Sequence, residues 1–180
     1  MEKVFLDRKI LLSGNICNNS IKTTIDRIFE INYDDTLKQN EFANFKRQPI
    51  ELYINSFGGS CYDGLALVDI IRTNENPINT YCFGSCMSMG FWIFMAGKKR
   101  LAGKNSTFMY HEVSGWVWDK LEGMKQEVKE CERLQVLYDS IITSQTLVAQ
   151  ETLNDYRLRK AEWFIAPEEA KNLNICHEIL

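Results

Sequence analysis

Between Ile50 and Gly97 the chain runs twice through one order: an apolar strand-like run, a cluster of small residues, then a helix-compatible stretch. Ile50 to Asn55 (IELYIN) reads as a strand ending in the glycine turn Ser56-Phe57-Gly58-Gly59-Ser60, and a helix follows from about Tyr62 to Arg72. Pro77 breaks the chain before a second strand, Ile78 to Phe83, which passes through Gly84, Ser85 and Cys86 into the apolar run Met89 to Ala96. Strand, glycine turn, helix, strand is a right-handed βαβ unit by default, which commits the chain to a parallel sheet covered by helices. Turns at the carboxyl ends of neighbouring strands lie close together in such sheets. Gly58-Gly59 is therefore expected beside Ser88.

Ser88 sits where the second strand gives way to its helix. A hydroxyl at a helix start lies next to free N–H groups of the first turn and the positive end of the helix dipole, where an oxyanion would be stabilised. Glycines at the neighbouring turn add to this, because a backbone N–H without a side chain can point into a cleft. The plainer alternatives are that Ser88 is an ordinary N-cap and Gly58-Gly59 an ordinary tight turn. A serine nucleophile needs a base. Of the two histidines, His111 ends the short apolar strand Thr107 to His111 (TFMYH), whereas His177 lies beside Glu178 near the C-terminus without such a setting. His111 is the stronger candidate, although lone histidines at strand ends are more often structural. Cys86 is a rival nucleophile by proximity, with a small-residue role in the turn as the simpler reading.

At 180 residues, 45% of them hydrophobic, the chain fits one domain with a sizeable core. A net charge of −3 and the lack of a basic stripe with interleaved aromatics argue against nucleic acid or anionic lipid as partners. The run from Pro77 to Gly97 is long enough to span a bilayer, but Asn79, Thr80, Gly84, Ser85 and Ser88 interrupt it and favour a buried strand, turn and helix. The N-terminus has acidic residues at once and does not look like a secretory signal, so a cytoplasmic location is expected. Six scattered cysteines without a CxxC pair suggest reduced thiols rather than a metal centre.

The remaining elements follow from periodicity. Val4 to Leu6 and Ile10 to Leu12 read as short strands, Ser13-Gly14-Asn15 as a turn, and Ile21, Ile25, Ile28 and Phe29 as one face of a helix reaching about Ile31. Asn32 to Gln48 reads as a surface connection with room for one further helical turn, and Gly97 to Asn105 as a basic loop. From about 119 to 144 apolar residues recur at three- and four-residue steps, predicting a helix on the order of 35 Å long. That length predicts a projecting segment that packs on another subunit, with an ordinary surface helix as the alternative. Further helices are expected over about Val148 to Arg159 and from Pro167 to Leu173, then a strand from Ile175 to Leu180. Glu162 lies between a charged helix end and the pair Trp163-Phe164, able to orient a histidine or to be a plain surface acid.

Four blocks in order, INSFGGSCYDGLALVDII, FGSCMSMGFWIFMAG, NSTFMYHE and APEEAKNLNICHEIL, resemble the proteolytic subunit of the Clp protease family, including its phage-encoded members. The resemblance implies a single domain over 1–180 with the ClpP/crotonase-type α/β fold, a spiral of βαβ units with the long helix as a handle. It implies a serine endopeptidase with Ser88 as nucleophile, His111 as general base, and the backbone N–H groups of Gly59 and Met89 as oxyanion donors. The third member falls on Glu162, with Asp155 as the fallback. It further implies a homo-oligomer of stacked, seven-membered rings, unfolded polypeptide as substrate, no cofactor in the subunit, and ATP only through an AAA+ unfoldase partner. Phe57 replaces the proline usual before the paired glycines. Glu51 and Gly103 stand where, in that family, larger apolar groups help dock the ATPase. A non-catalytic ring subunit and a crotonase-type acyl-CoA enzyme are the other expectations for this fold; the first would have lost the serine or histidine, and the second dispenses with the pair.

Overall fold

The computed structural model describes residues 7–180, so the strand expected at Val4 to Leu6 lies outside the described residues. The elements are β1 (Lys9–Ile16), α1 (Asn18–Glu41), β2 (Ile50–Gly59), α2 (Cys61–Thr73), β3 (Ile78–Met87), α3 (Met89–Met95), β4 (Arg100–Ala102), β5 (Thr107–Tyr110), α4 (Leu121–Thr143), α5 (Gln150–Leu158), β6 (Trp163–Ile165), α6 (Pro167–Asn172) and β7 (Glu178–Ile179). Strands β1, β2, β3, β4 and β7 lie side by side in that order, all parallel. β3 changes neighbour along its length: Thr80 to Cys82 pair with β4, and Ser85 to Met87 pair with β5. β5 then pairs antiparallel with β6. This divergence opens the sheet at the end where Ser88 emerges.

Alternation sorts the sheet's two faces. Ile10, Leu12, Leu52, Ile54, Ile78 and Cys82 point into the core under the helices. The opposite face carries Leu11, 70% exposed, and an aromatic row in which Tyr53 stacks on Tyr81 at 4.6 Å and on Phe83 at 5.8 Å. Glu51 Oε2 accepts a hydrogen bond from the Tyr53 hydroxyl at 2.9 Å, and burial together with that carboxylate pushes the phenol up to about 12. At Gly103 a Cβ would lie 2.9 Å from the Phe83 ring, so Phe83 occupies the room a larger residue there would need.

Several local expectations are corrected. Ser13-Gly14-Asn15 is not a turn but the end of β1, where Gly14 at φ 89 takes up a register shift between Ser13 and Asn15. α1 continues ten residues past Ile31, because Asp35 is buried on its inner face and Arg8 Nη1 donates to both its oxygens at 2.8 and 3.1 Å. A carboxylate facing inward is invisible to an apolar repeat. The glycine turn after Asn55 and the small residues after Phe83 remain in strands, since β1 and β5 supply partners for their backbones. Within Gly97 to Asn105 lies β4, whose Arg100 is 4% exposed and donates to the carbonyls of Asn174 and Ile175 at 2.8 and 2.7 Å. Trp163 to Ile165, left without a strand by periodicity, form β6.

Candidate active site

Ser88 is the hinge between β3 and α3, and its backbone sits at φ 50, ψ −124. A non-glycine residue there is strained by roughly 1–3 kcal/mol, so the surroundings must hold it. They do so on both sides. The Ser88 N–H donates to Met109 O at 3.0 Å, and the Ser88 carbonyl accepts from Phe91 N–H at 2.9 Å and Trp92 N–H at 3.3 Å. Every residue of α3 is buried, so the helix cannot shift to relax the turn. The side chain faces the end of β5.

There His111 follows directly on Tyr110, and its Nε2 lies 2.8 Å from Ser88 Oγ. That is within the 2.6–3.2 Å or so over which a base takes a proton directly. Gly58 forms the opposite wall: at φ 111, a Cβ on it would lie 2.7 Å from Ser88 Cβ and 3.1 Å from Ser88 Oγ. Only glycine leaves the hydroxyl room. Ser56, 1% exposed, fixes this wall by donating to Gly14 O at 2.6 Å and accepting the Gly58 N–H at 3.1 Å. Gly59, at φ 148, has no space for a Cβ, which would come within 2.1 Å of Ile16 O. Met89, as the first residue of α3, carries an N–H with no acceptor inside the helix.

The acids fall farther out. The β5–β6 ladder ends at the Tyr110–Trp163 pair, with His111 following Tyr110 and Glu162 preceding Trp163 in the chain. Glu162 is exposed and makes no hydrogen bond to the imidazole. Asp155 is on α5, turned to solvent and ion-paired with Arg159 at 2.6 Å. His177 is at the sheet's other edge, where its Nδ1 accepts the Arg100 N–H at 3.1 Å; burial and the nearby cations hold its pKa below the ordinary value. Cys86, the rival nucleophile, is wholly buried and its thiol is pushed well up by that burial, which leaves it inert. Among the described residues no group of three His, Cys, Asp or Glu side chains could hold a metal ion.

The Clp protease family model matches residues 1–180. The chain belongs to the Clp protease family. Over 135 residues it is 34% identical to the ATP-dependent Clp protease proteolytic subunit of Deinococcus radiodurans, an alignment covering 74% of this chain and 65% of that relative's length. Its fold matches that of a ClpP1 mutant from Listeria monocytogenes with a TM-score of 0.80 at 22% identity, over 96% of this chain and 91% of that one. The architecture is accordingly the ClpP/crotonase-type fold. In this Clp family chain, Ser56, Tyr110, Gln135 and Asp139 around the site were not singled out from sequence. One signal was available for the last two: they interrupt the apolar stripe of the long helix with polar groups.

Proposed function

We propose that this Clp family chain is a serine peptidase that cleaves unfolded polypeptides or peptides through an acyl-enzyme. The observation that carries the proposal is the 2.8 Å approach of His111 Nε2 to Ser88 Oγ at a strained, tightly held turn. With the imidazole proton on Nδ1, Nε2 accepts the serine proton as Oγ attacks the peptide carbonyl. The N–H groups of Gly59 and Met89 receive the oxyanion of the tetrahedral intermediate. His111 returns the proton to the departing amine, then deprotonates the water that releases the acyl group. Glu162 is the acid proposed to orient the imidazole, on the strength of its flanking, as His111 does, the last pair of the β5–β6 ladder, Tyr110–Trp163.

The exposed apolar first half of α4 supports assembly with further copies of the chain into a chamber of stacked rings. The aromatic row of Tyr53, Tyr81 and Phe83 supports docking of an AAA+ unfoldase, which alone would bring ATP into the system. Among the described residues no helix is long and apolar enough to cross a membrane. Work on polypeptides in the cytoplasm is part of the same proposal.

The test is covalent labelling with a fluorophosphonate, read by intact mass on the native chain, Ser88→Ala and His111→Ala. One adduct on the native chain, none on Ser88→Ala and a rate lowered at least about 100-fold on His111→Ala are expected. Equal labelling of native and Ser88→Ala chains would remove the assignment.

A further inference from the structure

Beneath His111 lies a buried polar cluster that the acyl transfer above does not use. Asp139, on α4, is 3% exposed among the core residues Leu134, Tyr138 and Ile142. Its Oδ1 accepts from the Tyr110 hydroxyl and from Gln135 Nε2, both at 2.8 Å. Its Oδ2 accepts from Gln150 Nε2 at 2.8 Å, with Arg157 Nη1 at 3.5 Å. Gln135, one turn earlier and 5% exposed, also donates to the Tyr110 oxygen at 3.1 Å, and its Oε1 accepts the Val113 N–H at 2.7 Å. Tyr110 precedes His111 and Val113 follows it by two residues. The histidine is thus suspended between two anchors that end on the same pair of α4 side chains.

We propose that Asp139 and Gln135 are positioning residues for the base: through the Tyr110 hydroxyl and the Val113 N–H they set where His111 Nε2 stands relative to Ser88 Oγ. A carboxyl group this deep is costly to bury unless its oxygens find donors, and an apolar side chain would fill the volume without that cost. Here Tyr110, Gln135 and Gln150 supply donors from β5, α4 and α5, and Arg157 adds an ion pair from α5. Hydrogen bonds add direction, which apolar packing lacks. A displacement of about 1 Å at a reacting pair costs on the order of 100-fold in rate, so direction is what this position requires. The inference rests on Ser88 and His111 being nucleophile and base.

The protein has two histidines, and His177 is bonded to Arg100 at the opposite edge of the sheet, so it serves as an internal control. With the histidine rings labelled with carbon-13, NMR gives one ring signal for each, assigned by His177→Gln. In Tyr110→Phe and Asp139→Asn the His111 signal is expected to shift, while the His177 signal stays. Fluorophosphonate labelling of Ser88 should slow by roughly 10- to 100-fold in each, and the double variant should be no slower than the slower single one, since both break one network. If Asp139→Asn unfolds, shown by a moving His177 signal, Tyr110→Phe decides, because it removes a single oxygen atom. An unmoved His111 signal in the folded variants overturns the positioning role whatever the labelling rates. A shifted His111 signal, in a protein whose native form takes no fluorophosphonate, supports the positioning role and removes the acyl-transfer proposal instead.

Discussion

The two halves of α4 carry one apolar repeat and meet opposite surroundings. Toward its C-terminal end Leu134, Tyr138, Ile141 and Ile142 are buried, with Tyr138 stacked on Trp92 at 4.2 Å and beside Tyr110 at 5.1 Å. Toward its start Leu121, Met124 and Val128 are 62, 37 and 56% exposed, and Trp116 and Trp118 just before it are 85 and 88% exposed. Periodicity states which face of a helix is apolar; it does not state what covers that face. The foot of α4 is covered by α3 and β5 and so backs the candidate site at Ser88 and His111. The tip is an exposed patch of large apolar groups of a kind that a monomeric surface seldom tolerates, which is what the proposed assembly would cover.

Four outcomes would break or sharpen that contrast. Tyr138→Ala, at the foot, should cost about 3–5 kcal/mol in urea unfolding, as expected for a buried aromatic truncation. A cost below about 1 kcal/mol would show that the foot is not core. The wall on the other side of Ser88 should answer differently: Gly58→Ala is expected to slow fluorophosphonate labelling on the order of 100-fold while costing only about 1–3 kcal/mol of stability. Its Cβ has nowhere to go but against the serine. Combined Leu121→Glu, Met124→Glu and Val128→Glu substitutions at the tip should leave near-UV circular dichroism unchanged and shift stability within about 0.5 kcal/mol, while lowering the sedimenting mass of the assembly. An unchanged mass would separate the tip from oligomerisation.

The smallest effect is expected where the halves meet. Glu130 accepts from Arg133 Nη2 at 2.7 Å and from the Tyr62 hydroxyl at 2.9 Å, and Arg133 first, then Tyr62, hold its carboxyl down to about 2. A carboxyl with a depressed folded value stabilises fully above its ordinary value near 4.5, and that contribution fades as pH falls toward 2. Acid unfolding of Glu130→Gln should therefore differ from the native curve only within that window, and slightly, because the pair is exposed. A difference persisting unchanged below pH 2 would assign the effect to something other than this carboxyl.

Much of the site was legible because its parts have local causes. Strand, small residues and an apolar helix start can be read around Ser88, and the apolar strand leading to His111 likewise. Gly58 and Gly59 were placed near the serine by the rule for parallel sheets, without knowledge of which atoms touch. The failures share a different origin. β4 and β6 are three residues each and exist because neighbours pair with them, and the second half of α1 is held by Asp35 reaching Arg8 across the chain. Asp139 belongs to the same class: a buried acid is sensible only once Tyr110, Gln135, Gln150 and Arg157 are seen to surround it.

By itself the sequence determined the longer strands and most of the helices, which face of each is apolar, and that a serine follows one strand while a histidine ends another. These depend on the chain's own periodicity and on glycine and proline at fixed places. Only the tertiary structure decided that Ser88 Oγ and His111 Nε2 stand 2.8 Å apart, that β3 parts from β4 to take β5, and that one half of α4 is core while the other is bare. Distances between segments far apart in the chain are set by how whole elements pack, and no local pattern encodes them.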